Sequence, residues 1–176
     1  GQYLVDIARD LIRQQGRRIA GMPEAEAIAF CTKFASEVIL AGIKEDLELF
    51  GVRFDTWFSE KRLFENGSVH KLIEQFRANG LAYEADGALW FRTTVFGDDK
   101  DRVMVKEDGT TTYFASDIAY HSNKFERGFH QTIDIWGADH HGYVPRLTAA
   151  LKAMGHPESA LRVILVQMVN LLRDGV

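Results

Sequence analysis

Ile133-Asp134-Ile135-Trp136-Gly137-Ala138-Asp139-His140-His141-Gly142-Tyr143 ends an apolar run in glycine, then sets an acid and two imidazoles ahead of a helix. Thr132 to Trp136 reads as a short buried strand, Val144 to Met154 as a helix and Leu161 to Val166 as a second strand. Strand, helix, strand at this spacing is a parallel β-α-β unit with a right-handed crossover. In such sheets ligands bind at the carboxyl edge, where strands end and helices begin. Asp139, His140 and His141 stand at that edge, so the segment predicts both an α/β fold and the place of its chemistry.

Working back along the chain, a helix is expected from about Ala115 to Arg127. Before it come paired extended runs. Leu81 to Tyr83 and Ala88 to Thr94 flank Asp86-Gly87, while Val103 to Lys106 and Thr111 to Phe114 flank Asp108-Gly109. Asp-Gly between extended runs signals a hairpin. The charged loop Gly97-Asp98-Asp99-Lys100-Asp101-Arg102 between them reads as a solvated turn rather than a cation site. Val52 to Phe58 alternates and is rich in aromatics, which suggests a further strand.

The first half is helical. Leu4, Ile7, Ala8, Leu11 and Ile12 keep helical spacing up to Gly16. A longer helix begins near Pro23 and runs towards Phe50, and a third spans Val69 to Ala78 before Asn79-Gly80. The apolar stripes of these helices are expected to be core.

Net charge is −4, which removes a global basic field for nucleic acid, and the single cysteine, Cys31, rules out an internal disulfide. It is expected to be a buried free thiol. No apolar run approaches the roughly 20 residues of a membrane span and no secretory signal is visible, so the cytoplasm is the expected location. Neither a Gly-x-Gly-x-x-Gly run nor a Walker lysine loop occurs, which leaves dinucleotide and P-loop readings without a phosphate cradle.

Several segments together resemble the catalytic region of bacterial arginyl-tRNA synthetases. They are Ala88-Leu89-Trp90-Phe91-Arg92-Thr93-Thr94, Gly97 to Val103, Thr112-Tyr113-Phe114-Ala115-Ser116-Asp117-Ile118-Ala119-Tyr120, Trp136 to Tyr143, and Val166-Gln167-Met168-Val169-Asn170-Leu171. The resemblance spans nearly the whole chain in family order. It implies an α/β fold: part of the class I nucleotide-binding, Rossmann-like parallel sheet, with a helical and β-hairpin insertion. Residues 1–110 would be the helical segment and connective insertion, and 111–176 the start of the second half of the catalytic domain.

The activity implied is arginine–tRNA ligation through an arginyl-adenylate, with arginine, ATP, Mg²⁺ and tRNA(Arg) as substrates and cofactor. The family's Tyr-x-x-x-Asp pattern, met by Tyr113 and Asp117, implies that these residues line the arginine pocket, and the family's strand end at Gly137 to His141 implies that His140 faces it. A carboxylate pairs directionally with a guanidinium, and a phenol hydrogen-bonds or packs beside it. Gly137, Asp139, His141 and Gln167 fall on the adenylate side, with Asp139 reaching a ribose hydroxyl or the substrate amine. Read without the family, Tyr113 ends a strand, Asp117 caps the following helix, and Asp139 to His141 are a helix-start acid with two histidines.

The family's His-Ile-Gly-His-like and Lys-Met-Ser-Lys-Ser-like motifs do not occur, so no catalytic residue is assigned. Those motifs would lie before Gly1 and after Val176, which makes the expected object an internal piece of a monomeric parent. Such a piece is expected to be inactive by itself and to self-associate through exposed interfaces. Two other readings compete. Asp139-His140-His141 carries the letters of Mn²⁺-dependent phosphoesterases, but no companion aspartate set or zinc spacing accompanies it. A free-standing tRNA-binding module would instead use basic pairs such as Arg17-Arg18 and Lys61-Arg62 on phosphates.

Overall fold

Asp86 and Gly87 both adopt left-handed backbone, φ 52° and 73°, and this pair turns β1 (Ala82–Ala85) back onto β2 (Ala88–Phe91). Two consecutive positive φ values make the twist that a two-residue hairpin needs. β3 (Arg102–Val105) adds antiparallel to β2, completing a three-stranded sheet. The computed structural model describes residues 1–170 and 172–173, Arg17 by its backbone only; Leu171 and residues 174–176, where part of the family resemblance falls, lie outside the described residues.

The chain forms two compact units, Gly1–Trp57 and Phe58–Val176. The first holds α1 (Gln2–Gln15), a short 3₁₀ turn and α2 (Glu24–Leu49). Both helices lie where the periodicity predicts, but their stripes are not core. Leu11 is buried on α1, and no residue of α2 is. Two helices packed on each other cannot enclose two broad apolar faces. Cys31 is accordingly half-buried rather than buried, and free. The expected strand at Val52 to Phe58 is a loop instead, because no neighbouring strand completes a ladder there. Phe54 meets Trp57 edge-on and Lys44 covers the Trp57 ring.

In the second unit α3 (Lys61–Glu65) and α4 (Ser68–Ala78) pack with the antiparallel sheet and α5 (Tyr113–Glu126). Leu63, Phe76, Phe91, Met104 and Ile118 form the centre of this core. The second expected hairpin shrinks to a single bridge, Val105 to Thr111. Tyr113 and Phe114 leave the extended path because helical spacing of Phe114, Ala115, Ile118 and Ala119 buries all four. Thr112 marks the change, its amide donating to the Met104 carbonyl and its hydroxyl to Val103 O at 2.8 Å.

β4 (Thr132–Gly137) and β5 (Leu161–Val166) are parallel and are joined through α6 (Val144–Ala153), the expected β-α-β unit. β4 is not the buried strand that its apolar letters suggest. Thr132 and Asp134 are buried, whereas Ile133 and Ile135 are 55% and 69% exposed. The inward face is occupied by polar partners from α5, which leaves the isoleucines on the other side. Among the described residues, no helix is long and apolar enough to cross a membrane.

Candidate functional site

Parallel pairing sets Gly137 opposite Val166, so the segments after both strands emerge together at the carboxyl edge of the sheet. After β4 the chain enters a 3₁₀ segment, Ala138–Tyr143, and then α6, with Pro145 in its first turn. Gly137, Asp139, His140, His141 and Gln167 therefore share one edge, and all five are exposed.

Asp139 folds back over Gly137. A Cβ on Gly137 would lie 2.5 Å from Asp139 Oδ1, so the absence of a side chain there permits this placement. His140 Nε2 stands 3.5 Å from Asp139 Oδ2, and His141 Nδ1 turns away to the Ala138 carbonyl at 3.1 Å. The two histidines thus diverge, as adjacent residues do. Among the described residues no third acid, imidazole or thiol joins Asp139 and His140 in a metal-binding group.

Tyr113 opens α5 and Asp117 follows one turn later on the same helical face. Their settings differ. Tyr113 is 84% exposed, while Asp117 is half-buried. Neither local reading of the pair holds: Tyr113 begins a helix rather than ending a strand, and Thr112, not Asp117, is the N-cap. No hydrogen bond joins Tyr113 to Asp117. The partner of Asp117 is Tyr143, whose hydroxyl donates to Asp117 Oδ2 at 2.6 Å. Burial pushes the Asp117 carboxyl above its ordinary range, against the Tyr143 hydrogen bond and the field of His121. Burial and the neighbouring carboxylate push the Tyr143 phenol far upward as well, so it remains a donor.

One turn beyond Asp117, His121 joins α5 to β4. Its Nδ1 meets the Asp117 carbonyl and its Nε2 meets Asp134 Oδ2, both at 2.8 Å. Lys124 Nζ donates to Asp134 Oδ1 at 3.0 Å. Burial opposes ionisation of Asp134, but the His121 hydrogen bond and the charges of His121 and Lys124 outweigh it and hold the carboxyl below its usual range. The helix carrying Asp117 is thereby pinned to the strand that ends in Gly137.

The loop Gly97 to Arg102 turns Asp98 inward while Asp99 stays exposed. Arg102 makes a forked pair with buried Asp98, Nε to Oδ2 at 2.7 Å and Nη2 to Oδ1 at 2.9 Å, and also bonds Asp99. Burial alone would raise the Asp98 carboxyl, yet these bonds bring it to about 2. Asp101 accepts from Thr94 and Tyr83. The solvated-turn reading misses this clasp, because a one-dimensional pattern does not show that Asp98 turns inward.

A cleft of about 870 Å³ is lined by Tyr113, Tyr143, Arg102, Lys106 and Arg146, among others. Tyr143, His121 and Asp134 are the residues that the motif reading did not single out. Position offered a signal for two of them: His121 lies one turn from Asp117, and Tyr143 closes the Gly-Ala-Asp-His-His-Gly-Tyr run.

Residues 24–172 match the family described as tRNA synthetases class I (R), catalytic domain. Arginine–tRNA ligases of Geobacter sp. (strain M21) and Syntrophotalea carbinolica are 58% and 53% identical over 176 and 175 residues, covering 100% and 99% of this chain. The chain spans 32% of the length of each of these relatives. An arginyl-tRNA synthetase structure from Campylobacter jejuni superposes with a TM-score of 0.88 at 36% identity, over 99% of this chain and 38% of that one. A Thermus thermophilus arginyl-tRNA synthetase shares the fold at a TM-score of 0.59 and 16% identity, over 85% of this chain and 34% of that one. The chain belongs to the class I tRNA synthetase (R) family and carries part of its catalytic domain.

Proposed function

We propose that this chain is part of an arginine–tRNA ligase, in which it supplies the arginine side of the pocket and one wall of the adenylate site. The whole enzyme would activate arginine with ATP and pass it to tRNA(Arg) in the cytoplasm. The observation that carries this reading is a half-buried carboxylate, Asp117, one turn from the exposed phenol of Tyr113 and hydrogen-bonded to the segment leaving β4. A desolvated, oriented carboxylate discriminates among amino-acid side chains: a guanidinium replaces its lost hydration, and a neutral isostere such as citrulline leaves it unpaired.

His140 is assigned beside Tyr113 and Asp117 on the arginine side. Gly137, Asp139, His141 and Gln167 are assigned to the adenylate, where small and polar groups at a sheet's carboxyl edge admit a nucleotide. Asp139 is the candidate for a ribose hydroxyl or the substrate amine. Mg²⁺ would arrive as the counter-ion of the ATP phosphates.

The phosphoesterase reading loses its footing on two counts. The family match runs through the Asp139-His140-His141 segment, and among the described residues no third acid, imidazole or thiol joins Asp139 and His140. The test is tRNA-dependent ATP–pyrophosphate exchange by the full-length enzyme. Asp117→Asn is expected to raise the arginine KM at least tenfold while the ATP KM moves little, because a charge-assisted pair is lost. An unchanged arginine KM would remove Asp117 from the pocket.

A further inference from the structure

We infer that Tyr143 is a positioning residue for arginine recognition: its phenol holds one oxygen of Asp117 and so sets how the carboxylate faces a guanidinium. The inference rests on the assignment of Asp117 to the arginine pocket. Four observations carry it. The Tyr143 hydroxyl donates to Asp117 Oδ2 at 2.6 Å, a short contact of the kind made to an ionised carboxylate. Asp117 Oδ1 has no hydrogen-bond partner among the described residues, so one oxygen is held and the other is available.

The ring itself is fixed from three elements. Trp136 at the end of β4 meets it edge-on at 5.8 Å, Phe114 of α5 does so at 6.1 Å, and the Arg146 guanidinium of α6 lies over it at 4.7 Å. A phenol clamped in this way orients its acceptor without losing rotamer entropy when substrate arrives. Finally, Tyr143 lines the 870 Å³ cleft, so its phenol connects that cleft to the carboxylate it holds.

Orientation matters for arginine in particular. Guanidinium is a planar fork that needs the carboxylate plane in register, whereas the ammonium of lysine is a point charge indifferent to it. Releasing the Asp117 carboxylate from Tyr143 should therefore harm arginine binding more than lysine binding.

Tyr143→Phe keeps the ring and its three packing partners while removing the hydroxyl. In the full-length enzyme, tRNA-dependent ATP–pyrophosphate exchange is expected to show an arginine KM about tenfold higher, the value of one hydrogen bond to a charged group. The KM rise should exceed any fall in kcat, and inhibition by L-lysine should change less than the arginine KM. The acid limb of kcat/KM should move to higher pH, because Asp117 loses a donor that favours its ionised form. The charged groups that face Asp117 would remain: His121 on its own helix, Asp134 on β4, and Glu60 ahead of α3.

In an Asp117→Asn background, Tyr143→Phe should add almost nothing to the arginine KM. An arginine KM that Asp117→Asn leaves unchanged would overturn the pocket assignment and this inference with it. A raised KM in Asp117→Asn with none in Tyr143→Phe would overturn the inference alone. Additive effects of the two substitutions would do the same, since independent residues do not share an oxygen.

Discussion

The two sheets of the second unit are built on opposite terms. In the antiparallel sheet Leu89, Phe91 and Met104 are buried, and the hairpin, the Asp98–Arg102 clasp and α4 surround them. In the parallel pair the apolar side chains face out: Ile133 and Ile135 on β4 stand beside Ile164 and Val166 on β5, all of them exposed. The inward side of β4 holds Asp134 under His121 and Lys124 instead. Parallel sheets are ordinarily covered on both faces, so the second sheet has the character of a part awaiting neighbours and the first that of a finished layer. The curated relatives are about three times as long as this chain, which fits that contrast.

The contrast predicts its own largest effect. Phe91→Ala should destabilise the chain by about 3–5 kcal/mol, because it empties the space between Phe76 and Phe114. Ile135→Ala, at an exposed position, should cost no more than about 0.5 kcal/mol in this chain. In the full-length enzyme the same substitution should cost about 2 kcal/mol or more, once the face is covered. Denaturant unfolding of both proteins measures this, and an equal Ile135 cost in each would break the comparison.

A second prediction tests whether the finished layer is held by charge as well as by packing. Arg102→Ala leaves Asp98 buried without its partner and should cost about 3–5 kcal/mol in the same assay. The folded-state carboxyl of Asp98, at about 2, lies below its unfolded value near 3.9. Its contribution is therefore fully present above about pH 4 and is lost as pH falls through about 2. Thermal unfolding from pH 5 to pH 2 should drop more steeply for the parent sequence than for Asp98→Asn. Parallel curves would take the clasp out of the account.

The smallest stability effect belongs to the edge of the parallel pair. Gly137 has ordinary backbone, φ −63° and ψ 146°, so alanine fits its conformation and its one close approach is to the movable Asp139 carboxylate. Gly137→Ala should change stability by about 0.5 kcal/mol or less, yet lower adenylate formation in the full-length enzyme by displacing Asp139. Exchange at the unaltered rate would show that the position of Asp139 is immaterial to the reaction.

Much of this architecture was legible in the residues, and the exceptions share a cause. The β-α-β unit, the Asp86-Gly87 turn and the helices of the first half follow from period and turn chemistry, both local properties. The misplaced elements depend on partners distant in sequence. Val52 to Phe58 alternates correctly but has no strand to pair with. Thr111 to Phe114 alternates too, and yields to helical burial of Phe114. Ile133 and Ile135 read as core because the letters do not tell which side of β4 is covered. At the site, Tyr113, Asp117 and Asp139 to His141 were visible as motifs, while the Tyr143–Asp117 bond spans 26 residues and needed the fold to be seen.

Thr112 couples β3 mechanically to α5. Its amide and hydroxyl extend the hydrogen bonding of β3 into the first turn of α5, and Tyr113 and Asp117 follow within five residues. The helix α5 is thus cantilevered from the hairpin sheet, and its root inherits the stiffness of that sheet. A substitution that loosens β3 will be felt as drift at Asp117, although no altered atom touches that carboxylate.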